Sequence, residues 1–378
     1  MNSKKAIVVG AGIVGLATAR ALAIKGYSVE VFDRSLQVTG ASVRNFGMIW
    51  PIGQPAGKMY DRAIRSRDIW KEACVAAGIW HEQAGSLHLA YAEDEMRVLA
   101  ELHELFSAQG RDVQLCSKDF ITAHYDAVNS HQLIGGLLSR EELIVDPREA
   151  IAKLPSYLAD KHQVIFHWGT AVTAISESSV FAGNKEHEAD LIFICSGADF
   201  ETLFPGVYAK LPLTKCKLQM MRFVAQPGNW RMGPALCGGL SLIHYNSFKA
   251  APSLKKLEQR YRESMKPYID HGIHVMVAQN GLGELTIGDS HEYGPNPGPF
   301  DQQAINTMIL EYLRTFSRFK NDSLLEAWNG VYPKVTNGEP HIVLSPQDNV
   351  YILNGLGGAG MTLSFGLAEE VVETLPVG

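Results

Sequence analysis

Four consecutive apolar residues, Ala6-Ile7-Val8-Val9, form the first readable element of the chain. A run without polar alternation is what a parallel strand buried on both faces requires. It leads straight into Gly10-Ala11-Gly12-Ile13-Val14-Gly15. Leu16, Ala19, Leu22 and Ala23 then recur at helical spacing and stop at Lys25-Gly26. Ser28-Val29-Glu30-Val31-Phe32 predicts a second strand that ends on Asp33-Arg34. Residues 170–175, around Val172, predict another strand. Residues 189–198 predict a buried one that closes in the small-residue turn Cys195-Ser196-Gly197. Near the far end, Val350 to Asn354 predicts a strand, and Gly355-Leu356-Gly357-Gly358-Ala359-Gly360 a glycine-rich loop. A helix carrying Leu363, Leu367, Val371 and Val372 follows. Residues 217–225 and 274–279 alternate as antiparallel strands do, and 252–268 and 300–319 read as helices covering them. No internal repeat is present.

Length and composition narrow the class. At 378 residues the chain suggests two or three domains. Hydrophobic residues make up 46% and charged residues 20%, enough apolar material for a large core. A net charge of −6 excludes a general polyanion binder such as a nucleic-acid protein, while leaving room for a local pocket that takes a small anion. Cys74, Cys116, Cys195, Cys216 and Cys237 are odd in number and form no C-x-x-C, which argues against a disulfide framework or a metal site. A reducing, cytoplasmic setting fits that usage. No apolar run reaches the ~18–20 residues of a membrane span. Lys4 and Lys5 before an apolar stretch imitate a signal peptide, but Gly10, Gly12 and Gly15 interrupt it.

The first forty residues carry specific chemistry. Gly10 permits a tight turn, Gly12 lets a pyrophosphate approach the backbone, and Gly15 lets helix and strand pack closely. The helix that starts there offers free N–H groups and partial positive charge to phosphates. Asp33 lies eighteen residues beyond Gly15, at the strand tip, where a carboxylate accepts hydrogen bonds from ribose hydroxyls and repels a 2′-phosphate. A second glycine loop more than 300 residues later is hard to explain with one nucleotide; it suits the far end of an extended cofactor. Backbone N–H groups there would face negative charge on a reduced flavin.

These segments resemble the D-amino-acid oxidase family of FAD-dependent oxidoreductases, with glycine oxidase and monomeric sarcosine oxidase as relatives. The likeness covers nearly the whole chain. It includes the first glycine loop with Asp33, Ala41-Ser42 through Gly47-Met48, and Asp146-Pro147-Arg148 opening a helix. Cys195-Ser196-Gly197 stands in place of that family's Ala-Thr-Gly, and Gly283-Glu284-Leu285-Thr286-Ile287-Gly288 and the C-terminal loop complete it. Within the family, residues 44–54 and 288–294 look most like a bacterial subgroup associated with aminophosphonate breakdown.

The resemblance implies an α/β protein: a two-dinucleotide-binding, Rossmann-like FAD domain with an inserted substrate domain on a mixed or antiparallel sheet. The FAD domain would comprise 1–85, 140–212 and 323–378, and the substrate domain 86–139 and 213–322. FAD would be held by Gly10, Gly12, Ile13, Val14, Gly15, Asp33 and Arg34 at one end. Ala41, Ser42, Arg44, Asn45, Phe46, Gly47 and Met48 would line its middle, with Val172, Cys195, Ser196 and Gly197. Leu356, Gly357, Gly358, Gly360, Met361 and Thr362 would hold the flavin end. No Cys or His suited to covalent attachment lies in 330–340 or 41–50, so non-covalent FAD is expected; His341, just beyond, reads as structural.

One departure bears on substrate. Glycine-oxidase-type relatives hold the substrate carboxylate with an arginine just before a proline, and here Tyr332 precedes Pro333. A phenol cannot form the bidentate fork that matches a carboxylate. The anionic end would then fall to Arg44, Lys215, His244, His291 or Lys334. The pocket walls are expected from Met48, Trp50, His244, Tyr245 and Tyr332, with Arg44 at the edge. The implied reaction is oxidation of a C–N bond by hydride transfer to flavin N5. The imine is then hydrolysed to a carbonyl product, and dioxygen or another acceptor takes the electrons. No general base is required once the amine is neutral. The alternatives are a glycine, D-amino-acid or sarcosine-type oxidase, or an FAD-dependent 2-hydroxy-acid dehydrogenase using His244 or His291 as base. A non-catalytic binding protein on the same scaffold would have lost the glycine loops retained here.

Overall fold

The computed structural model describes residues 4–376, so the outermost residues of the expected FAD domain, 1–3 and 377–378, lie outside it. The first strand spans Lys5–Val9, the helix Ile13–Ile24 and the second strand Ser28–Phe32. The helix starts three residues earlier than the apolar spacing indicated, because Ile13 packs inward at its first turn. Lys5–Val9 is central in a six-stranded sheet, parallel on one side to Ser28–Phe32 and on the other to Leu191–Ile194. Val350–Asn354 continues the sheet in parallel, and Ile342–Gln347 closes that edge antiparallel. Ile7, Val8, Ile192 and Phe193 are wholly buried, as the unbroken apolar runs require.

Val172–Ile175 belongs to a separate antiparallel sheet of three strands with Ser179–Ala182 and Lys185–Glu188, not to the six-stranded sheet. Val172 and Val180 are buried with Phe32 and Ile192, so this small sheet caps one face of the larger.

The other half of the molecule is built on a nine-stranded sheet. Leu213–Phe223, Met276–Gln279 and Leu285–Gly288 lie in it, mutually antiparallel where they pair, as their alternation indicated. The single parallel pairing joins Ala235–Cys237 to Ser86–Ala90. Leu324–Val335, which the sequence division assigned to the nucleotide side, pairs antiparallel with Leu213–Phe223 along its length. Its far end bridges Lys334 to Leu356, so this strand runs from the nine-stranded sheet to the C-terminal glycine loop. The helix expected over 252–268 is two, Leu254–Ser264 and Lys266–Asp270. Pro267 lacks an N–H and is tolerated only in a first turn, so the helix breaks at Met265 and restarts. The last covering helix is Gln303–Phe316. No helix of the described residues is long and apolar enough to cross a membrane.

Candidate active site

Three glycines set the nucleotide end. Gly10 has φ +102°, and a Cβ there would stand 2.5 Å from the Cys195 carbonyl oxygen. A Cβ on Gly15 would fall 1.8 Å from the Gly10 carbonyl oxygen. No side chain could be accommodated at either position without moving backbone. At Gly12 a Cβ would stand 3.1 Å from the Ser42 hydroxyl, closer than ordinary packing, so a side chain here would crowd Ser42 where it meets the helix start. The Ile13 N–H donates to Ser42 Oγ at 2.9 Å, so the one side-chain partner at this helix start comes from the early loop, while the N-cap residue Gly12 supplies none. Val14 and Gly15 lie in the same first turn.

Asp33 is oriented before any ligand arrives. Its carboxylate accepts from the Ala11 N–H at 2.8 Å and the Ser35 N–H at 2.9 Å, leaving further lone pairs for ribose hydroxyls. Arg34 turns away to pair with Asp199 at 2.7 Å, beside the Ser196-Gly197 turn. Ser196 Oγ donates to the Asp199 carbonyl, and Asn354 donates to that of Gly197. Cys195 is buried, its thiol pushed up to about 12 by burial, so it packs and does not react.

The early loop is bolted to both glycine loops. Asn45 donates to the Ala41 and Ser42 carbonyls and accepts from the Gly47 N–H, which fixes residues 41–47 as one unit. Gly47, at φ +74°, has no room for a Cβ, which would lie 1.9 Å from the Val145 carbonyl oxygen. Phe46 packs against Cys216, Leu218 and Met220 of the nine-stranded sheet. The Trp50 N–H donates to Thr362 Oγ1 at 3.0 Å, tying the early loop to the C-terminal helix Gly360–Glu373. Trp70 Nε1 donates to the Met361 carbonyl at 2.8 Å, fixing the start of that helix from the other side. A Cβ on Gly360 would lie 3.8 Å from Ile13, so the two glycine loops meet although 347 positions separate those residues. The C-terminal helix also lacks a side-chain cap and any acid in its first turn. Leu356 is buried, and Gly357 takes φ +60° beside Gly358.

The residues present therefore fit an extended dinucleotide: two helix starts whose own N-cap residues bring no side-chain cap meet at Ile13 and Gly360, each led by a glycine-rich loop. FAD would be held by the backbone of 10–15 and Asp33 at its adenosine end and by 356–362 at its flavin end.

The substrate-side residues are brought together in part. Met48 and Trp50 are buried, and Trp50 lies 6.3 Å from Tyr245, ring to ring. Tyr245 in turn stands against His244 at 5.1 Å. Tyr332 is 7% exposed, directly across the strand pair from Cys216, with its hydroxyl 3.6 Å from where a Cβ on Gly358 would be. Burial holds the phenols of Tyr245 and Tyr332 well above their ordinary pKa, so both keep their proton and donate hydrogen bonds.

Two expected cations do not join them. Arg44 is exposed and donates to the Asn329 carbonyl at 3.0 Å, fastening the early loop to its neighbouring strand. Lys215 is neutralised by Glu201 at 2.7 Å. Lys334 lies along Gly357 and has no carboxylate within ion-pair distance among the described residues. His341 contacts Arg62 and is structural.

Sequence reading missed three groups. His274 and Asp289 face one another at 3.2 Å. Glu142 is fully buried, accepts from the Ile52 N–H and Ser86 Oγ at 3.0 Å, and is pushed up to about 7 by burial. Each is a lone polar residue at a strand end, with no local signal; only strand pairing places it. An open cleft of about 670 Å³ between the helices Lys58–Ala77 and Gly360–Glu373 is lined by charges already paired, such as Arg62 with Glu370, and offers no such chemistry.

A family model described as "FAD dependent oxidoreductase" matches residues 5–374. The chain belongs to that family. The fold is shared with glycine oxidase from Geobacillus kaustophilus (TM-score 0.76, 18% identity, 100% of this chain and 96% of that one). It is shared also with L-proline dehydrogenase from P. horikoshii (0.77, 18%, 99% and 96%). L-alpha-glycerophosphate oxidase from Mycoplasma pneumoniae, solved with FAD bound, superposes at 0.74 with 18% identity, over 100% and 96%. Among curated proteins, bilirubin reductase of Mediterraneibacter gnavus is 26% identical over 214 residues, 50% of this chain and 32% of that protein. The chain spans well under half the length of the curated relatives it matches. This member of the family is an FAD-dependent oxidoreductase.

Proposed function

We propose that this enzyme oxidises the C–N bond of a small amine bearing a phosphonate-type anion, such as an aminophosphonate or its N-methyl derivative. The observation that carries the reading is Tyr332. It is buried at the position where the resemblance expects a carboxylate-binding arginine, while Lys334 and imidazoles gather on the same side of the sheet. A single guanidinium fork is replaced by several separated donors, which suits a tetrahedral oxyanion better than a planar carboxylate. Structural neighbours named glycine oxidase and L-proline dehydrogenase support an amine substrate.

FAD, when bound, supplies the hydride acceptor. The chain's own residues bind and orient. Trp50, Met48 and Tyr245 form an apolar wall that excludes water and favours the neutral amine. Tyr332 donates its hydroxyl toward the polar end of the substrate, and the fixed loop 41–47 holds the substrate's distance from the flavin end. Dioxygen or another acceptor completes the cycle.

The test is a panel of glycine, sarcosine, D-alanine, 2-aminoethylphosphonate, its N-methyl derivative and a 2-hydroxy acid. Peroxide release and anaerobic bleaching of the flavin are the readouts. Efficient turnover of the phosphonates is expected; far better turnover of the ordinary amino acids would reject the substrate class. The likeness to L-alpha-glycerophosphate oxidase, together with His244 and His291 as bases, favours a second reading in which a C–O bond is oxidised. Bleaching by the hydroxy acid and not by amines would select it.

A further inference from the structure

His244, His274 and His291 come from three separate chain segments, and one ring nitrogen of each lies within 4.8 Å of the others. His274 and His291 are 4% and 8% exposed, and His244 is exposed. The His244 and His274 rings stack face to face, 3.6 Å apart and 7° from parallel. His291 stands 4.9 Å and 5.0 Å from them, tilted by 36° and 32°.

This geometry discriminates between ligands. Imidazole binds a metal along its in-plane lone pair, at about 2.0–2.1 Å. Two parallel stacked rings keep their lone pairs in separate parallel planes, so both cannot point in-plane at one ion. Parallel rings can instead direct N–H groups at separate oxygens of one anion.

Protonation follows from the hydrogen bonds. His291 Nδ1 lies 2.9 Å from the Gly272 carbonyl oxygen, which can only accept, so Nδ1 carries the hydrogen. In the neutral ring Nε2 is then a bare lone pair and cannot donate to an anion until it gains a proton. Asp289 is buried; among the described residues its Oδ1 has no donor beyond the 3.2 Å approach of His274 Nδ1, and its Oδ2 lies 4.0 Å from His291 Nε2. Burial holds Asp289 well above and His274 and His291 below their ordinary values, His291 at about 4, and His244, its ring desolvated by the stack on His274, is lowered with them. Lys334 and Lys249 lower His244 further, and Lys334 lowers His291. Tyr245, Tyr293, Tyr332 and Cys216 face the same group and remain protonated. The cluster therefore rests without charge beside Lys334, and ionising Asp289 next to an arriving anion would juxtapose like charges.

We propose that His244, His274 and His291 form an oxyanion seat that receives the phosphonate-type end of the substrate together with one proton from solvent. The proposal rests on the substrate class above and deepens it. Atoms balance simply: the anion enters, His291 Nε2 takes a proton, and Asp289 keeps its own.

Sulfate is the probe, because it stays a dianion across the working range and any pH dependence belongs to the protein. Sulfate is titrated into FAD-loaded enzyme, followed by perturbation of the flavin spectrum, and by calorimetry in two buffers of different ionisation enthalpy. Affinity is expected to fall about tenfold per unit of pH rise, with about one proton taken up per sulfate. His291→Gln, which cannot carry the proton, is expected to bind weakly and without pH dependence. His244→Asn, at the most exposed of the three residues, serves if His291→Gln loses flavin or stability, and is expected to weaken sulfate about tenfold. Absent sulfate binding, a flat pH profile, no proton uptake, unchanged variants, or stoichiometric zinc capture by these histidines would each overturn the seat. The two readings separate cleanly. Sulfate binding with no turnover of anionic amines defeats the substrate class alone, and phosphonate turnover with unaltered KM in both variants defeats the seat alone.

Discussion

The glycine loops and the proposed histidine seat would meet charge by opposite means. At the loops, recognition would come from what is missing: no side chain at Gly10, Gly12 or Gly15, no cap from Gly12 on the helix behind them, and backbone N–H groups left to face phosphate. Those dipoles are fixed and do not titrate. On the nine-stranded sheet, the proposed seat would use buried titratable side chains that rest uncharged and respond to what enters. A backbone site binds the same group under all conditions and suits a resident cofactor. A buried ionisable site changes its charge with its occupant and suits a substrate that must come and go.

The sharpest way to break the contrast is at the backbone. Gly15→Val is expected to abolish flavin retention and cost about 3 kcal/mol or more in stability, because no rotamer relieves a Cβ 1.8 Å from a carbonyl oxygen. The absorbance ratio of flavin to protein after purification checks it; a yellow, fully loaded variant would show that close packing is unnecessary.

On the sheet side, pH should do what it cannot do at the loops. Glu142 has a folded pKa of about 7 against an ordinary 4.5. Its stabilising contribution is present below the unfolded value and lost as pH rises through the folded one. About 3 kcal/mol should disappear between pH 4.5 and 7. Glu142→Gln is expected to remove that slope in denaturant melts across the window; an unchanged slope would place the titration elsewhere.

His88 works in the other direction. It is wholly buried between Trp50 and Phe248, neither ring nitrogen has a partner, and its pKa is about 3. Its contribution is intact above the unfolded value of 6.5 and is lost as pH falls toward 3. Relative to neutral pH the wild type should lose about 2 kcal/mol by about pH 5 through this group. His88→Leu is expected to keep it, read as a smaller drop in Tm on acidification.

The smallest effect is expected at Tyr332. Tyr332→Phe removes one hydroxyl and should raise KM for an aminophosphonate about three- to tenfold, the worth of one hydrogen bond, with kcat little changed. Identical kinetics would remove Tyr332 from the substrate site.

The loops were legible because the constraint is local. The strand ending at Val9, the turn at Gly10 and the close approach at Gly15 lie within eleven residues, and each demands its residue type on steric grounds. Arg44 and Lys215 misled, because their residue type signals charge but not which partner reaches them first; one meets a carbonyl and the other Glu201. The resemblance put residues 323–378 on the nucleotide side, and the pairing of Leu324–Val335 with Leu213–Phe223 came only with the structure, because no local pattern names a strand's neighbour.

The sequence alone determined the nucleotide-binding scaffold, the presence of two glycine loops and the tyrosine that departs from the family's arginine. Tertiary structure alone decided that Ile13 meets Gly360, that His274 faces Asp289, and that three histidines bring ring nitrogens within 4.8 Å of one another. The reason is physical. Backbone conformation is set by a residue and its immediate neighbours, whereas the surroundings of a buried side chain depend on strand register across hundreds of residues, which no local pattern encodes.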